Sequence, residues 1–235
     1  MKNSKDYSPK LAKLLKTLKK DAAPIAPPVY ADPVEAIVYA FISAFATEAN
    51  ASKIINRINS HFVDINDLRV SRPEEILDVV GETSSPKAAA SAQSLLAVLN
   101  AIFEKYDKVS LDMLTEEGKR QARKDLEEIP GMTSFAAAYT VLTAIGGHAV
   151  PLTEGMADYL RQQELVHPDS TLQEIESFLE RQIAAADAYT FYTLFRAESE
   201  GSVHAAPNAN AKAKKAPAKK TGGKKATAKK KTPKK

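Results

Sequence analysis

The stretch from Leu126 to Leu160 reads LEEIPGMTSFAAAYTVLTAIGGHAVPLTEGMADYL. A helix ends at Ile129-Pro130-Gly131, since proline cannot continue a helix, and a helix of small and apolar residues follows. That second helix ends at Gly146-Gly147, a typical C-terminal cap. A further turn then leads through Thr153, a common N-cap residue, into a short third helix. This order of helices and turns is the pattern from which we infer the fold.

Helical spacing of apolar residues continues on both sides of this stretch. It is clearest in VEAIVYAFISAFATEA (34–49), ASKIINRINSHF (51–62) and PKAAASAQSLLAVLNAIFEKY (86–106). No run alternates between apolar and polar residues over the length of a strand. The body of the chain is therefore predicted to be all-α.

Several helix ends can be predicted from local signals. Capping boxes are expected at Ser71-Arg72-Pro73-Glu74 and at Thr171-Leu172-Gln173-Glu174. Asp187 is expected to begin a last helix that runs through Arg196. The segment TEEGKRQARKDLEEI (115–129) predicts the helix that leads into Pro130.

Charge is strongly segregated along the 235 residues. Residues 212–235 carry twelve lysines and no acidic residue, and residues 1–20 carry seven lysines and one aspartate. Removing these two segments from the net charge of +4 leaves −14 on residues 21–211. An acidic body thus carries two basic arms, which points to a polyanionic partner.

The C-terminal arm, residues 201–235, lacks large apolar residues and is predicted to be disordered. Its composition resembles the tails of linker histones, and such a polycation binds nucleic acid through counterion release. The alternative is a tail that only keeps the protein soluble.

The N-terminal arm and Pro-rich linker span residues 1–29. Leu11, Leu14, Leu15 and Leu18 recur at helical spacing among lysines, and AAPIAPP (22–28) follows as a linker. We expect this helix to dock on the acidic body, while a membrane-surface helix or a nucleic-acid arm are the alternatives.

Composition also excludes several classes of protein. The absence of cysteine excludes disulfides, a thiol nucleophile, thiolate zinc sites and an iron–sulfur cluster. No apolar run is long enough for a membrane span, and no apolar segment of a secretory signal follows the N-terminal lysines. We therefore expect a cytoplasmic, nucleoid-associated monomer without metal or cofactor.

The quoted motifs resemble the helix-hairpin-helix DNA glycosylase superfamily, of which endonuclease III is a familiar member. In that family the pattern is Leu-Pro-Gly-x-Gly, a small-residue helix, then Val-Asp and another helix. Upstream, Ser43, Ala44, Ala46 and Thr47 match the family's LLSAQATD helix pair, with Phe45 where glutamine usually stands. Gly81, Lys87 and Ala88 match its IGLYNSKAENI turn, and DAYTFYTLFRAE (187–198) matches its last helix.

The resemblance covers residues 30–200 and implies a two-lobed, all-α fold with a cleft. It predicts one continuous lobe over residues 50–147. The second lobe would combine residues 30–49 with residues 148–200. The disordered basic tails would lie outside this body.

The resemblance implies that the hairpin binds a DNA phosphate through backbone N–H groups at a helix N-terminus. Gly131 matches the first family glycine, but Thr133 replaces the second. The expected phosphate contacts are Pro130, Gly131, Met132, Thr133 and Ser134. The alternative is a hairpin that only packs helices together.

The family's catalytic pair is missing from the matching positions. Phe135 stands where bifunctional members carry the lysine that forms a Schiff base, and no lysine lies between Lys124 and Lys212. Thr153 stands where the family carries an aspartate, and is expected to be an N-cap. Glu154 is the fallback catalytic carboxylate, with Asp158 a weaker one.

Further DNA contacts are predicted outside the hairpin. Phe45 could insert into the base stack, or could be an ordinary core residue. Lys87 is expected to contact DNA as well. The tail contributes its lysines at positions Lys212, Lys214, Lys215, Lys219, Lys220, Lys224, Lys225, Lys229, Lys230, Lys231, Lys234 and Lys235.

Other candidate residues are interpreted as structural. The four histidines lack metal-ligand spacing. Five aromatic residues near the end of the body are expected in the core, namely Phe178, Tyr189, Phe191, Tyr192 and Phe195.

Three functions remain open on sequence alone. The first is a DNA-binding protein of this base-excision-repair superfamily, without AP-lyase activity or with no catalysis at all, whose lysine-rich tails bind the phosphate backbone of double-stranded DNA. The second is an active DNA glycosylase without lyase activity. The third is a structural nucleoid protein.

Overall fold

The computed structural model describes residues 1–20, 22 and 25–205, apart from the side chains of residues 202–205. Within this part of the chain every regular element is a helix, and residues 1–204 form one compact unit. The α-helices are α1 (Ser4–Lys19), α2 (Pro33–Ser43), α3 (Glu48–His61), α4 (Ile65–Val70), α5 (Pro73–Val80), α6 (Pro86–Tyr106), α7 (Lys119–Glu127), α8 (Ser134–Thr143), α9 (Glu154–Gln162), α10 (Leu172–Gln182) and α11 (Ala188–Ala205). Short 3-10 helices occupy Asp112–Thr115 and Ala185–Asp187. The all-α prediction is confirmed for the described residues.

Two helices, α2 and α8, form the centre of the core and pack against each other. Both are mostly apolar, and every residue of α8 after Ser134 is buried. In α2 the residues Ala36, Ile37 and Ala40 have no exposed surface. Small side chains at this contact let the two backbones approach closely, and a helix that is apolar all round belongs in a core.

The N-terminal helix α1 docks on the body, as expected. Leu11 is only 1% exposed, and α1 packs against α10. Lys19 Nζ lies 2.6 Å from Asp187 Oδ1, and Lys10 Nζ donates to the Glu164 carbonyl at 3.0 Å. Leu11 is therefore covered by the body, and Leu14, Leu15 and Leu18 are partly buried against it. Of the linker, Ile25 N–H faces the Thr190 hydroxyl at 3.5 Å.

Of the two predicted capping boxes, the one at Thr171 is confirmed and the one at Ser71 is wrong. Thr171 and Glu174 form both hydrogen bonds of a capping box at α10. The predicted box at Ser71–Glu74 is wrong, because the Ser71 hydroxyl donates instead to the Leu68 carbonyl and ends α4. Pro73 then fixes the first turn of α5, whose N-cap is Arg72.

Three helix bounds differ from the expectation. The apolar stretch 34–49 is interrupted, because α2 ends at Ser43 and α3 begins after Thr47. The helix before Pro130 begins only at Lys119, after the N-cap Gly118. The last helix continues beyond Arg196 to Ala205, where elongation of a formed helix costs little.

Some predictions lie beyond these findings. Disorder is expected for residues 201–235. From residue 206 onward these residues lie outside the described part of the chain. The lobe and linker boundaries likewise stay predictions. Among the described helices, none combines the length and apolarity needed to cross a membrane.

Candidate functional site

A cleft of 620 Å³ brings together residues that are far apart in sequence. It lies between the loop that joins α2 to α3, the first turns of α6, α8, α9 and α10, and the end of α11. Among its lining residues are seven of the predicted or matched site positions, namely Phe45, Lys87, Thr133, Ser134, Phe135, Thr153 and Glu154. Sequence reasoning therefore found a spatial cluster.

Residues at or next to the N-terminal ends of five helices line this cleft. The lining includes Thr47 before α3, Lys87 in the first turn of α6, Thr133 before α8, Thr153 before α9 and Leu172 at the start of α10. Unpaired N–H groups and the helix dipole give each such end a partial positive charge. An acidic body can in this way present a local surface suited to anions.

The hairpin between α7 and α8 is tightly packed and depends on glycine at position 131. Gly131 adopts a positive φ of 86°, and a Cβ there would lie 3.1 Å from Ala97 Cβ and 3.2 Å from the Ser94 carbonyl oxygen. The Thr133 hydroxyl accepts the Ala136 N–H at 3.1 Å, so Thr133 caps α8. Within the described residues no acceptor faces the N–H groups of Thr133 and Ser134, both of which are exposed residues.

Phe135 belongs to the apolar floor of the cleft. It is 6% exposed, and its ring centroid lies 6.3 Å from that of Tyr139 and 6.4 Å from that of Tyr192. The Arg196 guanidinium lies 5.7 Å from the same centroid, at cation–π distance. The position that resembles the family's lysine site thus holds an aromatic ring next to a buried cation.

Thr153 is the N-cap of α9, as predicted. Its hydroxyl accepts the Met156 N–H at 3.2 Å, which occupies the side chain in helix capping. Glu154 follows as the first residue of α9 and is exposed at the cleft. Asp158 is not among the lining residues and pairs instead with Arg161 at 2.7 Å. Glu154 is therefore the better placed of the two carboxylates.

Phe45 lies on the loop between α2 and α3, where it packs on the core and also lines the cleft. It is half-buried, and both its insertion into the base stack and its role as a core phenylalanine stay predictions. Lys87 is exposed in the first turn of α6. The lysines from Lys212 to Lys235 lie outside the described residues.

Arg196 lines the cleft as well, and its place there was not predicted from the sequence. It is 3% exposed, and one of its amino groups donates to the carbonyls of Ser43 at 2.5 Å and Ala46 at 2.9 Å. Its Nε donates to Glu200 Oε1 at 2.8 Å, and Glu200 in turn accepts the Glu48 N–H at the start of α3. Arg196 and Glu200 together fix the loop that carries Phe45.

A second carboxylate, Glu176, lies beside the hairpin. The Ser134 hydroxyl donates to Glu176 Oε1 at 3.2 Å. Burial raises the pKa of Glu176 to about 7, although the bond from Ser134 acts in the opposite direction, and Glu180 adds to the rise. The charge near the hairpin therefore changes around neutral pH.

The residues interpreted as structural are found in structural positions. Phe178, Phe191, Tyr192 and Phe195 are buried, while Tyr189 is half-buried. His61 pairs with Glu75 at 3.1 Å, and His167 lies in a turn where Nδ1 faces the Asp169 N–H. His148 is exposed, and the side chain of His204 lies outside the described residues. Within the described part, no three potential metal ligands come together.

Comparison with solved structures decides the fold. A trapped endonuclease III–DNA covalent intermediate superposes with a TM-score of 0.61 at 17% identity, over 80% of this chain and 84% of that one. The Clostridium acetobutylicum 8-oxoguanine glycosylase/lyase, solved with double-stranded DNA, superposes with a TM-score of 0.61 at 16% identity. The match covers 86% of this chain and 71% of that one. This chain has the helix-hairpin-helix DNA glycosylase fold. The 3-methyladenine DNA glycosylase of H. pylori adds a TM-score of 0.58 at 16% identity, over 83% of this chain and 98% of that one.

The helix-hairpin-helix DNA glycosylase fold is established here by structure and not by sequence. No family model matches the chain, and no curated protein sequence matches it either. Both results agree with the low identity to proteins of the same fold. The resemblance noted in the sequence is confirmed at the level of architecture.

Proposed function

We propose that this chain is a DNA-binding member of the helix-hairpin-helix DNA glycosylase superfamily that lacks AP-lyase activity. The observation that carries this proposal is the cleft, where the hairpin, Phe45 and Lys87 meet while Phe135 and Thr153 replace the catalytic pair. The partner is double-stranded DNA, intact or damaged. Association with the nucleoid would follow from such binding.

Phosphate binding at the hairpin is supported by local geometry. The exposed N–H groups of Thr133 and Ser134 lie at the start of the ten-residue helix α8. A helix N-terminus with free donors is suited to an anion, because the dipole and the N–H groups act in the same direction. The loss of the second family glycine removes no N–H group, so the donors remain.

The absence of lyase chemistry is supported by the surroundings of Phe135. Schiff-base formation needs a desolvated, deprotonated amine in the cleft. No lysine lies between Lys124 and Lys212, and Lys87, which lines the cleft, is exposed to solvent. The aromatic floor around Phe135 contains the buried guanidinium of Arg196, which cannot lose its proton to become a nucleophile. DNA would therefore be bound without cleavage of the sugar–phosphate backbone.

The twelve lysines of residues 212–235 would supply most of the affinity. Each phosphate neutralised by a lysine releases counterions, which makes binding depend steeply on salt. The body of net charge −14 opposes this approach, and screening acts over about 8 Å at physiological salt. The cleft would thus orient the bound DNA, and the tail would supply most of the affinity.

A test of the hairpin uses a Ser134→Glu variant in a fluorescence anisotropy assay with a labelled duplex. A carboxylate at the first position of α8 favours the helix, so the variant should fold. It should nevertheless weaken DNA binding, because it puts a negative charge where a phosphate would lie. A Ser60→Glu variant on the exposed end of α3 is the matched control. Equal affinity of both variants and the parent would contradict the hairpin contact.

An active glycosylase without lyase activity is the second candidate function, and the position of Glu154 favours it. Glu154 is exposed at the cleft, where a carboxylate could stabilise positive charge at the sugar and activate water. Release of a damaged base that is lost in Glu154→Gln and kept in Asp158→Asn would establish this function. No release from duplexes with uracil, oxidised pyrimidine, 8-oxoguanine or alkylated purine would exclude it for those lesions.

A further inference from the structure

The solvent-facing side of α1 is a row of lysines held on an otherwise acidic body. Lys5, Lys13 and Lys16 are exposed and lie on the side of the helix opposite Leu11, which is 1% exposed. The only acidic residue in α1 is Asp6. Within the part of the chain that the structure describes, no carboxylate lies within ion-pair distance of these three lysines.

Other charged groups of the N-terminal segment are used to anchor the helix. Lys19 pairs with Asp187, Lys10 donates to the Glu164 carbonyl, and the Met1 amino group lies 3.5 Å from Glu174 Oε1. Together with the buried Leu11, these contacts hold α1 in one orientation. The remaining lysines are thus presented by a fixed scaffold and not by a flexible arm, which lowers the entropic cost of binding.

The position of α1 relative to the cleft follows from its contacts with α10. The Met1 amino group meets Glu174 in the first turn of α10, and Leu172 in that same turn lines the cleft. The other end of α1 meets Asp187, beyond the end of α10. The row from Lys5 to Lys16 therefore starts near the end of α1 that meets the first turn of α10, and it runs along the helix for roughly 16 Å, the rise over eleven residues.

We propose that α1 is a preformed contact surface for the phosphate backbone of the duplex that occupies the cleft. The inference rests on the proposed DNA binding and adds a second, ordered point of contact to it. Duplex DNA carries one negative charge per roughly 1.7 Å of axis, so phosphates are available along the whole length of α1. A membrane surface is less suited to this helix, because Leu11 is buried and its other leucines pack partly against the body.

The experiment compares two full-length variants of equal charge in the anisotropy assay. Lys5→Gln with Lys13→Gln removes two lysines of α1, and Lys105→Gln with Lys108→Gln removes two exposed lysines at and just beyond the C-terminal end of α6. We expect the α1 variant to bind an intact duplex at least about tenfold more weakly at low salt, with a salt slope shallower by about 1.8. The α6 variant should stay close to the parent. Unchanged thermal unfolding of both would show that folding is intact.

The possible outcomes separate this inference from the proposed function. If the parent chain binds DNA and the two variants bind with equal affinity, α1 is not a DNA contact and only this inference fails. If the parent binds no duplex at any salt concentration, the proposed function fails first. Loss of binding to vesicles of anionic lipid, with DNA binding unchanged, would overturn the inference in favour of a membrane surface.

Discussion

At the scale of single residues, Arg196 helps to explain how the cleft keeps its shape. Its guanidinium joins the loop at Ser43 and Ala46 to α11 and lies 5.7 Å from the centroid of the Phe135 ring. The cation is buried, and its charge is balanced by Glu200 and Glu48. Such a group is costly to bury alone and stable only while all its partners are present.

Removal of this cation should be strongly destabilising. Arg196→Met leaves the carboxylates of Glu48 and Glu200 without their partner, and two loop carbonyls without a donor. We expect a loss of about 3–5 kcal/mol in the free energy of unfolding, measured by urea denaturation. Arg181→Met at an exposed position of α10 is the control and should change stability by less than about 0.5 kcal/mol. Similar losses in both variants would show that Arg196 has no special role.

Glu176 gives the stability a pH dependence of definite sign. Its pKa is raised from 4.5 to about 7, so the folded state binds its proton more tightly than the unfolded state. Well below pH 4.5 the titration of Glu176 does not change the free energy of unfolding. As the pH rises toward 7 it lowers this free energy, which destabilises the fold. Glu176→Gln should therefore be more stable than the parent at pH 8, and the difference should shrink by pH 5. A stability difference that does not change with pH would contradict this assignment.

At the scale of elements, the hairpin depends on a conformation that only glycine adopts easily. Gly131→Ala would place a Cβ close to Ala97 and the Ser94 carbonyl while φ stays positive. We expect a loss of at least about 1–2 kcal/mol and weaker DNA binding. Gly118→Ala is the matched control, because no atom lies within 4 Å of its Cβ and its φ is −65°. Equal thermal unfolding temperatures of the two variants would contradict the account of the hairpin.

Most helices could be predicted from the sequence, because their ends are marked locally. The limits of α6 at Pro86 and Tyr106 match the prediction, and Thr171 caps α10 as expected. The capping box at Ser71 failed because a neighbouring helix end competes for the same hydroxyl. The role of Arg196 could not be predicted, since its carbonyl partners lie about 150 residues away in the sequence. Only the i, i+4 pair of Arg196 with Glu200 offered a signal.

At the scale of the whole molecule, charge is divided between an acidic body and basic segments. Docking of α1 places part of the positive charge on the body surface, while the lysines of residues 212–235 remain a separate source. The two sources differ in geometry. The lysines of α1 have fixed positions, whereas a tail of this composition binds phosphates without regard to sequence.

Deletion of residues 205–235 should remove most of the affinity for DNA. The deletion takes away twelve lysines and leaves the compact unit of residues 1–204. Binding of the parent should fall steeply with salt, and the truncated chain should bind weakly even at about 50 mM salt. The measurement is anisotropy of a labelled duplex over a salt titration. Undiminished binding by the truncated chain would show that the body alone carries the affinity.

The most direct test of the central claim is incubation of the full-length protein with duplexes that carry an abasic site or a damaged base, with and without borohydride. A glycosylase fold without the lyase amine should bind these duplexes in a salt-sensitive manner. It should form no borohydride-trapped covalent complex and cause no spontaneous strand break. A trapped complex would contradict the account, because it requires a desolvated amine nucleophile, whereas Phe135 holds the matching position and Lys87, the lysine among the described lining residues, is exposed.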